Sequence, residues 1–496
     1  MTDADVIVIG SGMGGATLAA ALAPSGRRIL ILERGDHLRP SEHDRSDRSI
    51  FVDGYYRPEE EWLDGAGAGF NPGNYYCVGG NSKFYGAVLI RYRREDFSPL
   101  RHMGGTTPGW PLSYDLMEPY YCRAEQMYAV RGQAGEDPTE PPHSAPYPYG
   151  PVPDEPPIAR LRARLIAVGL HPSSLPLGVD IDRWLSRAHT PWDTFPDTIG
   201  GKMDAETAGL KAALAHDTVR LRPGSHVVGL LAGAGNRITG VELSTGAVLR
   251  APVVVLAAGA VNSAVLLLAS ADADNPRGLA NRSDQVGRNF MNHNASALLA
   301  IDPFRRNSSV YQKTLMMNDF YLGGGPGGEP LGNMQLLGKI SGPILQGAAG
   351  LPGPLARWIA AHSVDVYAMS EDLPHSESRV TLAGGRIRLD WKRSNWEAHE
   401  ALVAKLKQVL RRAGYPVVLA RPFDRRTPSH QCGTARMGDD PFSSVVDTHC
   451  RSHDHPNLYI TDASVLPTSA AVNPALTVAA LAIRAAHHIE HNERAA

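Results

Sequence analysis

The sequence has 496 residues, of which 43% are hydrophobic and 20% charged, an ordinary globular balance in a chain too long for one small domain. Lys+Arg 49 against Asp+Glu 51 leave a net charge of −2, so the whole-chain charge offers no basic field for nucleic acid or an anionic membrane. The 50 glycines and 38 prolines are aperiodic, which excludes collagen and points to tight turns and close backbone approaches.

Val6-Ile7-Val8-Ile9 is a continuous apolar strand, the pattern of a sheet covered on both faces. Gly10-Ser11-Gly12-Met13-Gly14-Gly15 follows, then an Ala- and Leu-rich helix up to Pro24-Ser25-Gly26 and a second strand, Ile29-Leu30-Ile31-Leu32, ending on Glu33. Residues 36–75 are rich in loops, and Gly79-Gly80-Asn81-Ser82 precedes an apolar stretch at 87–90. Nine prolines within 133–157 predict an extended, irregular surface segment. Residues 205–216 read as a helix; 219–231 and 238–249 alternate like strands, with 233–236 as their turn. Val253-Val254-Val255-Leu256 is a further apolar strand, entering Ala257-Ala258-Gly259-Ala260 and a helix to about residue 269. Gly/Pro stretches at 323–331 and 342–354 are candidate mobile lids. Two or three strands fall between 364 and 391, with Gly384-Gly385 as a hairpin turn. An amphipathic helix covers Trp396 to Arg412, Leu458-Tyr459-Ile460 is the last strand, and 477–489 the last helix.

Gly10-x-Gly12-x-x-Gly15 lies between an apolar strand and a helix, where a dinucleotide needs it. The first glycine makes the turn, the second admits a pyrophosphate to the backbone, and the third packs helix on strand. Glu33, at the end of the second strand, is placed to accept from an adenosine ribose and would repel the 2′-phosphate of NADP. FAD and NAD remain open on the fingerprint alone. Its position at the start of the chain, with a later strand ending in Ala257-Ala258-Gly259-Ala260, suits an FAD domain closed by distant segments.

Ser429-His430-Gln431-Cys432-Gly433-Thr434-Ala435-Arg436-Met437-Gly438 resembles the HxxGTxRMG signature of the glucose–methanol–choline (GMC) oxidoreductases. The segments Asn457-Leu458-Tyr459-Ile460-Thr461-Asp462-Ala463-Ser464-Val465-Leu466-Pro467-Thr468 and Asn473-Pro474-Ala475-Leu476-Thr477 resemble that family's closing block in order and spacing. Gly79-Gly80-Asn81-Ser82 is similar to its flavin-contacting loop, and Val286-Gly287-Arg288-Asn289 through His293 to its domain-crossing segment. The resemblance implies an α/β FAD-binding, Rossmann-like domain of the GMC/glutathione-reductase type. An α+β substrate-binding domain with an antiparallel sheet would accompany it. The FAD domain would be discontinuous, at 1–120, 195–294 and 425–496, and the substrate domain with its lids would occupy 121–194 and 295–424.

It further implies oxidation of an alcohol to a carbonyl, with hydride leaving the carbinol carbon and the hydroxyl proton passing to a base near pKa 7. His430 matches the catalytic histidine, and Asn473 the second active-site position, which would orient the substrate oxygen. The implied cofactor contacts are Gly10, Gly12, Gly14, Gly15, Glu33, Gly79, Gly80, Asn81, Ser82, Val227, Ala258, Gly259, Asp462, Ala463, Asn473, Pro474 and Thr477. Some relatives tether FAD through a histidine after the Gly-Gly pair. Lys83, Phe84 and Tyr85 stand there instead, so non-covalent FAD is expected.

The stretch from Phe70 to Gly86 and the residues around Asp137–Pro142 resemble sugar-oxidising members related to pyranose oxidases and glycoside 3-oxidases. A sugar pocket needs polar side chains and aromatic faces, and Tyr76, Lys83 and Tyr85 are the candidate substrate residues. The expected reaction is oxidation of a secondary alcohol of a sugar or glycoside, with reoxidation by oxygen or a quinone or dye-type acceptor. A non-sugar alcohol, a non-redox FAD lyase on the same fold and an NAD-dependent dehydrogenase are the competing readings. His449, Cys450, His453, Asp454 and His455 fit no standard zinc spacing and are expected in a solvated loop; no metal is expected. Trp184, Trp192 and Trp391 are divided between cavity lining and core. Four scattered cysteines without a CxxC pair fit a reducing compartment. An acidic N-terminus lacks the pattern of a secretory signal, and no apolar run reaches the ~18–20 residues of a membrane span. A cytoplasmic monomer or homo-oligomer is expected, without a membrane partner.

Overall fold

The computed structural model describes residues 2–427 and 430–492. Strands β1 (Val6–Ile9) and β2 (Ile29–Leu32), with helix α1 (Met13–Leu22) between them, form the expected βαβ unit. Helices α2 (Tyr114–Met127) and α3 (Pro156–Ala167) and the short strand β3 (Pro172–Ser174) follow. Next come β4 (Val219–Arg222), β5 (Val227–Ala232), β6 (Ile238–Leu243), β7 (Val248–Arg250) and β8 (Val253–Leu256). Helix α4 (Ala260–Ala269) leads to β9 (Asn294–Ile301), β10 (Leu315–Met317) and β11 (Asn333–Leu336). Helices α5 (Gly342–Ala349) and α6 (Gly353–His362) precede β12 (Ser363–Ser370). The chain ends with α7 (Trp396–Arg412), β13 (Val417–Pro422), β14 (Leu458–Ile460) and α8 (Ala475–Asn492).

Two sheets divide the labour. The first is wholly parallel, in the order β14-β8-β1-β2-β4. Val6 faces Val253 on one side and Ile29 on the other. Every residue of β1 and β8 is buried, which is why these strands read as unbroken apolar runs. The second sheet is antiparallel, in the order β13-β9-β12-β11-β10-β3. Helix α7 covers it with Ala398, Leu402, Leu406, Val409 and Leu410, an i, i+4 stripe.

Three segments depart from the sequence reading. Residues 219–231 are two strands: β4 extends the parallel sheet beside β2, whereas β5 starts a separate antiparallel sheet with β6 and β7. Pro223 lacks an N–H, Gly224 turns at φ +64°, and the Ser225 N–H donates to the Glu33 carbonyl, so the chain is broken and redirected there. Residues 342–354 are no loop: α5 and the start of α6 form a helical hairpin. Pro343 and Pro354 sit in first turns that need no N–H, and Gly350 stops α5 at φ +64°. The proline-rich segment 133–157 is extended yet partly interior. Its Asp137 is buried and paired with the buried Arg93, and the Pro142 carbonyl accepts from the Tyr114 hydroxyl.

Candidate active site

The parallel sheet ends in a cleft whose rim is glycine. A side chain on Gly10 would strike the Ala257 carbonyl, one on Gly14 the Thr461 carbonyl, and one on Gly15 the Gly10 carbonyl. These three glycines let β1, α1, the turn after β8 and the start of the closing block pack backbone to backbone. Gly12 and Gly259 differ: among the described residues nothing lies within 4 Å of where their side chains would point. A side chain on Gly80 would come 3.6 Å from the Gly12 Cα. The fingerprint, the Gly-Gly loop and the turn after β8 thus border one open cradle at the N-terminus of α1, whose N–H groups and dipole favour an anion. Thr461 Oγ1 is buried in the adjacent closing block without a hydrogen-bond partner among the described residues. This is the donor set and the space that a pyrophosphate needs, and the residues fit FAD.

Around the cradle, side chains are spent on holding the backbone. Glu33 accepts from the Ser11 N–H at 3.0 Å and its hydroxyl at 2.6 Å, and from the Gly35 N–H. The Gly79 N–H donates to Ser11 Oγ. Asn81 accepts from the Tyr75 N–H, and Ser82 donates to the Gly79 carbonyl while accepting from the Ala205 N–H. The Asp462 carboxylate turns inward, accepting from the Gly259 N–H, Ser263 Oγ and the Ser464 N–H. Its side chain is therefore a strut between the start of α4 and the closing block. The Ala258 N–H is likewise taken up by Ser263, and Thr477 bonds the Tyr121 hydroxyl. Val227 is buried at the start of β5, two residues after Ser225, which bonds the Glu33 backbone. Pro474 leads into α8.

His430 stands where the two sheets meet. Met291 and Cys432 exchange both backbone hydrogen bonds in an isolated antiparallel bridge, and continuing that register by two residues sets His293 opposite His430. Their Nδ1 atoms are 2.8 Å apart. On its other nitrogen, His430 Nε2 lies 3.1 Å from Asn473 Nδ2, while Asn473 Oδ1 accepts from Gln335 Nε2 at 2.6 Å. His293 Nε2 reaches the Ser469 carbonyl at 3.0 Å. One assignment of protons satisfies every contact. Asn473 donates to His430 Nε2, His430 Nδ1–H donates to His293 Nδ1, and His293 Nε2–H donates to Ser469. Each imidazole is neutral, and the His430 lone pair that can accept a proton is on Nε2.

The electrostatics agree. Burial, then the neighbouring His293 and Lys313, hold the His430 pKa well below the ordinary histidine value. Burial lowers His293 to about 4. Desolvation thus moves this base below the value near 7 expected from sequence. His430 also has φ +68°, a left-handed conformation that costs a non-glycine residue energy and tends to occur at functional sites. Beside Asn473, Gln335 Oε1 is buried without a partner among the described residues. Lys313, whose charge reaches His430, is paired with Asp193 at 2.8 Å.

The three expected substrate residues do not join this group. The Tyr76 hydroxyl donates to Glu60, with Arg34 stacked at 3.6 Å over its ring. The bridge between Asp36 and Cys77 holds it against the segment that follows β2. Lys83 is buried between Asp204 at 3.1 Å and Glu206 at 2.8 Å; burial opposes its charge, but the two carboxylates outweigh it. The Tyr85 hydroxyl donates to the Met203 carbonyl. Nearness in sequence to the Gly-Gly loop misled, because the loop turns these side chains toward structural partners. His293, Gln335 and Lys313 went unnoticed as site residues, since only the bridge and the antiparallel sheet bring them to His430.

Trp184 and Trp192 are core, with their indole N–H groups on the Thr190 and Gly86 carbonyls, and Trp391 donates to Asp372. The 449–455 segment is packed and not a solvated loop. Cys450 and His455 are buried, and His455 Nδ1 pairs with the Asn236 carbonyl. Among the described residues no group of three His, Cys, Asp or Glu is arranged to hold a metal. Ser429, first in the quoted signature, lies outside the described residues.

Comparison with known proteins gives a consistent picture. Family models described as GMC oxidoreductase match residues 192–295 and 374–482, and one described as an NAD(P)-binding Rossmann-like domain matches residues 8–57. The chain is 28% identical over 550 residues to 2-methyl-1,2-propanediol dehydrogenase of Mycolicibacterium austroafricanum, covering 98% of this chain and 95% of that protein. It is 27% identical to the fructose dehydrogenase large subunit of Gluconobacter japonicus, covering 98% and 97%. It is 28% identical to 6'''-hydroxyparomomycin C oxidase of Streptomyces lividus, covering 98% and 91%. A crystal structure of pyridoxine 4-oxidase from Mesorbium loti superposes with a TM-score of 0.69 at 20% identity, covering 99% of this chain and all of that one. That likeness shows the fold.

Proposed function

The chain belongs to the GMC oxidoreductase family and acts on CH–OH groups, and from that premise we propose that it oxidises a secondary alcohol of a sugar or glycoside to a ketone. FAD would be held without a covalent bond in the glycine cradle, where it supplies the hydride acceptor. His430 Nε2 takes the hydroxyl proton as the carbinol C–H bond breaks. His293 holds the His430 ring and its tautomer, so that the basic nitrogen faces Asn473. Asn473 Nδ2, freed from His430 when substrate enters, donates to the substrate oxygen. The burial that keeps His430 neutral also keeps it ready as a base without prior deprotonation.

The observation that carries this reading is the His293–His430–Asn473–Gln335 chain, which ends in a buried acceptor, Gln335 Oε1, with no partner. A polyhydroxy substrate satisfies such an acceptor with a second hydroxyl, which a monohydric alcohol lacks. The relatives named for fructose and for 6'''-hydroxyparomomycin C support a sugar or glycoside. A smaller alcohol is the second reading, favoured by the relative named for a diol. For the cofactor link, Lys83 is held in its ion pairs, Phe84 stacks on Tyr75 at 3.7 Å and Tyr85 is bonded to Met203. Reoxidation by oxygen or by a quinone or dye-type acceptor completes the proposed cycle.

Anaerobic mixing of the purified yellow protein with a panel of sugars, glycosides and simple alcohols tests this. Bleaching of the flavin band by a sugar or glycoside is expected. Bleaching by simple alcohols alone removes the sugar assignment, and product formation with persistent yellow colour indicates a lyase. Acid precipitation is expected to release the flavin; a flavin-bearing denatured band removes the non-covalent assignment.

A further inference from the structure

A second surface lies at the opposite end of the antiparallel sheet. Strand β9 leaves His293 and runs eight residues to Ile301, a rise of roughly 26 Å. Beyond it, Asp302–Asn307 form a finger pinned at both ends to the last turn of α6. The Asp302 N–H donates to the His362 carbonyl and the Asn307 N–H to the Ala361 carbonyl. Between the pins stands Pro303-Phe304-Arg305-Arg306, with Phe304 at its tip 91% exposed.

Arg305 and Arg306 border a cleft with Arg160, Arg164, His362 and Asp302. Asp302 pairs with Arg164 at 3.5 Å; among the described residues no ion pair or hydrogen bond engages the guanidinium groups of Arg160, Arg305 or Arg306. Four arginines against one aspartate leave a local charge of +3. Pro157, in the first turn of α3, lines the same cleft.

Beside the cleft lies an apolar ridge. Leu355 and Trp358 are 45% and 43% exposed, and with His362 they follow one face of α6. Trp358 stacks on His362 at 4.6 Å, which joins the ridge to the cleft. From Ser341 to Ala361 the hairpin of α5 and α6 carries one charged residue, Arg357.

We infer that this face docks on an anionic phospholipid surface, with the arginine cleft taking a lipid phosphate and Phe304, Leu355 and Trp358 entering the headgroup boundary. An exposed aromatic tip and tryptophan beside unpaired arginines match a layer that is anionic outside and apolar beneath. A soluble anion would use the cleft and leave the apolar ridge without purpose. The net charge of −2 conceals this patch, because acidic residues elsewhere cancel it; exclusion of an anionic membrane on whole-chain charge does not reach a local surface. Among the described residues no helix is long and apolar enough to cross a membrane, so the contact is peripheral and independent of the chemistry at His430.

Co-sedimentation of the full-length flavin-loaded protein with vesicles tests the inference. The vesicles are phosphatidylcholine alone, or the same lipid with one third phosphatidylglycerol. Binding to the anionic vesicles and its loss at high salt are expected. Arg305→Glu with Arg306→Glu is expected to lower partitioning about tenfold or more, and Phe304→Ser with Trp358→Ser to weaken it several-fold, all with unchanged thermal unfolding and turnover of soluble substrate. Absence of vesicle binding overturns the inference, as does equal binding to both vesicles or binding that survives the arginine reversals. Stabilisation by inorganic phosphate that depends on Arg305 and Arg306, without vesicle binding, overturns it in favour of a soluble anion.

Discussion

The cradle at Gly12 and the cluster at His430 are built on opposite principles. In the cradle, the strand–turn–helix unit, the Gly-Gly loop and the turn after β8 supply the opening, and glycine lets backbone meet backbone with no side chain between. In the cluster, His293, Gln335, His430 and Asn473 come from four separated segments, and their side chains make the contacts that link them. The cradle depends on what is missing from its residues. The cluster depends on a chain of partners in which each proton position determines the next.

Substitutions that cut this chain at different distances from Nε2 break or sharpen the contrast. The largest effect is expected for His430→Ala: anaerobic flavin reduction slower by at least ~10²-fold, with the flavin retained. Unchanged reduction would remove His430 from the chemistry. His293→Phe deletes the acceptor for His430 Nδ1–H and frees the ring to present the wrong tautomer. A fall in kcat of about tenfold to a hundredfold is expected, partly restored in His293→Gln, whose amide oxygen can accept the same proton. If both variants match the wild type, His293 serves packing alone.

The glycine cradle makes the complementary test. Gly14→Ala drives a methyl into the Thr461 carbonyl and is expected to lower stability by about 1–3 kcal/mol. Gly12→Ala meets only open space, so its melting temperature without flavin should match the wild type while flavin affinity falls. Equal behaviour of the two would erase the distinction between packing and cofactor glycines. The smallest effect is expected for Gln335→Leu, which removes both the proposed hydroxyl acceptor and the donor to Asn473 Oδ1 and should raise KM for the sugar about tenfold with a several-fold fall in kcat.

The same contrast explains what could be read in advance. Gly10 to Glu33 were legible because a strand, a turn and a helix announce themselves within thirty residues, and the parallel sheet follows from its buried Val and Ile runs. His430 and Asn473 were legible through a local signature. His293 was not, because its role arises only when Met291 pairs with Cys432, a contact between segments far apart in the chain. Gln335 sits in a buried strand of polar and apolar residues that carries no periodic signal of a site. Tyr76, Lys83 and Tyr85 looked like pocket residues by type, but side-chain direction at a turn is set by local backbone, and Glu60, Asp204, Glu206 and Met203 claim them. The lid expected at 342–354 failed for a related reason: proline in a first helical turn is permitted, and glycine after the last one is favoured.

The proposed chemistry rests on a histidine kept neutral by burial, and the pH dependence of anaerobic flavin reduction by the oxidised substrate tests that most directly. A half-buried, desolvated histidine with a depressed pKa stays unprotonated as pH falls through its ordinary value of 6.5. The expected result is therefore a reduction rate that is flat from pH 8 to below pH 6.5, with any acid limb displaced well under that value in the wild type. An acid limb at or above pH 6.5, carried by His430, would contradict it.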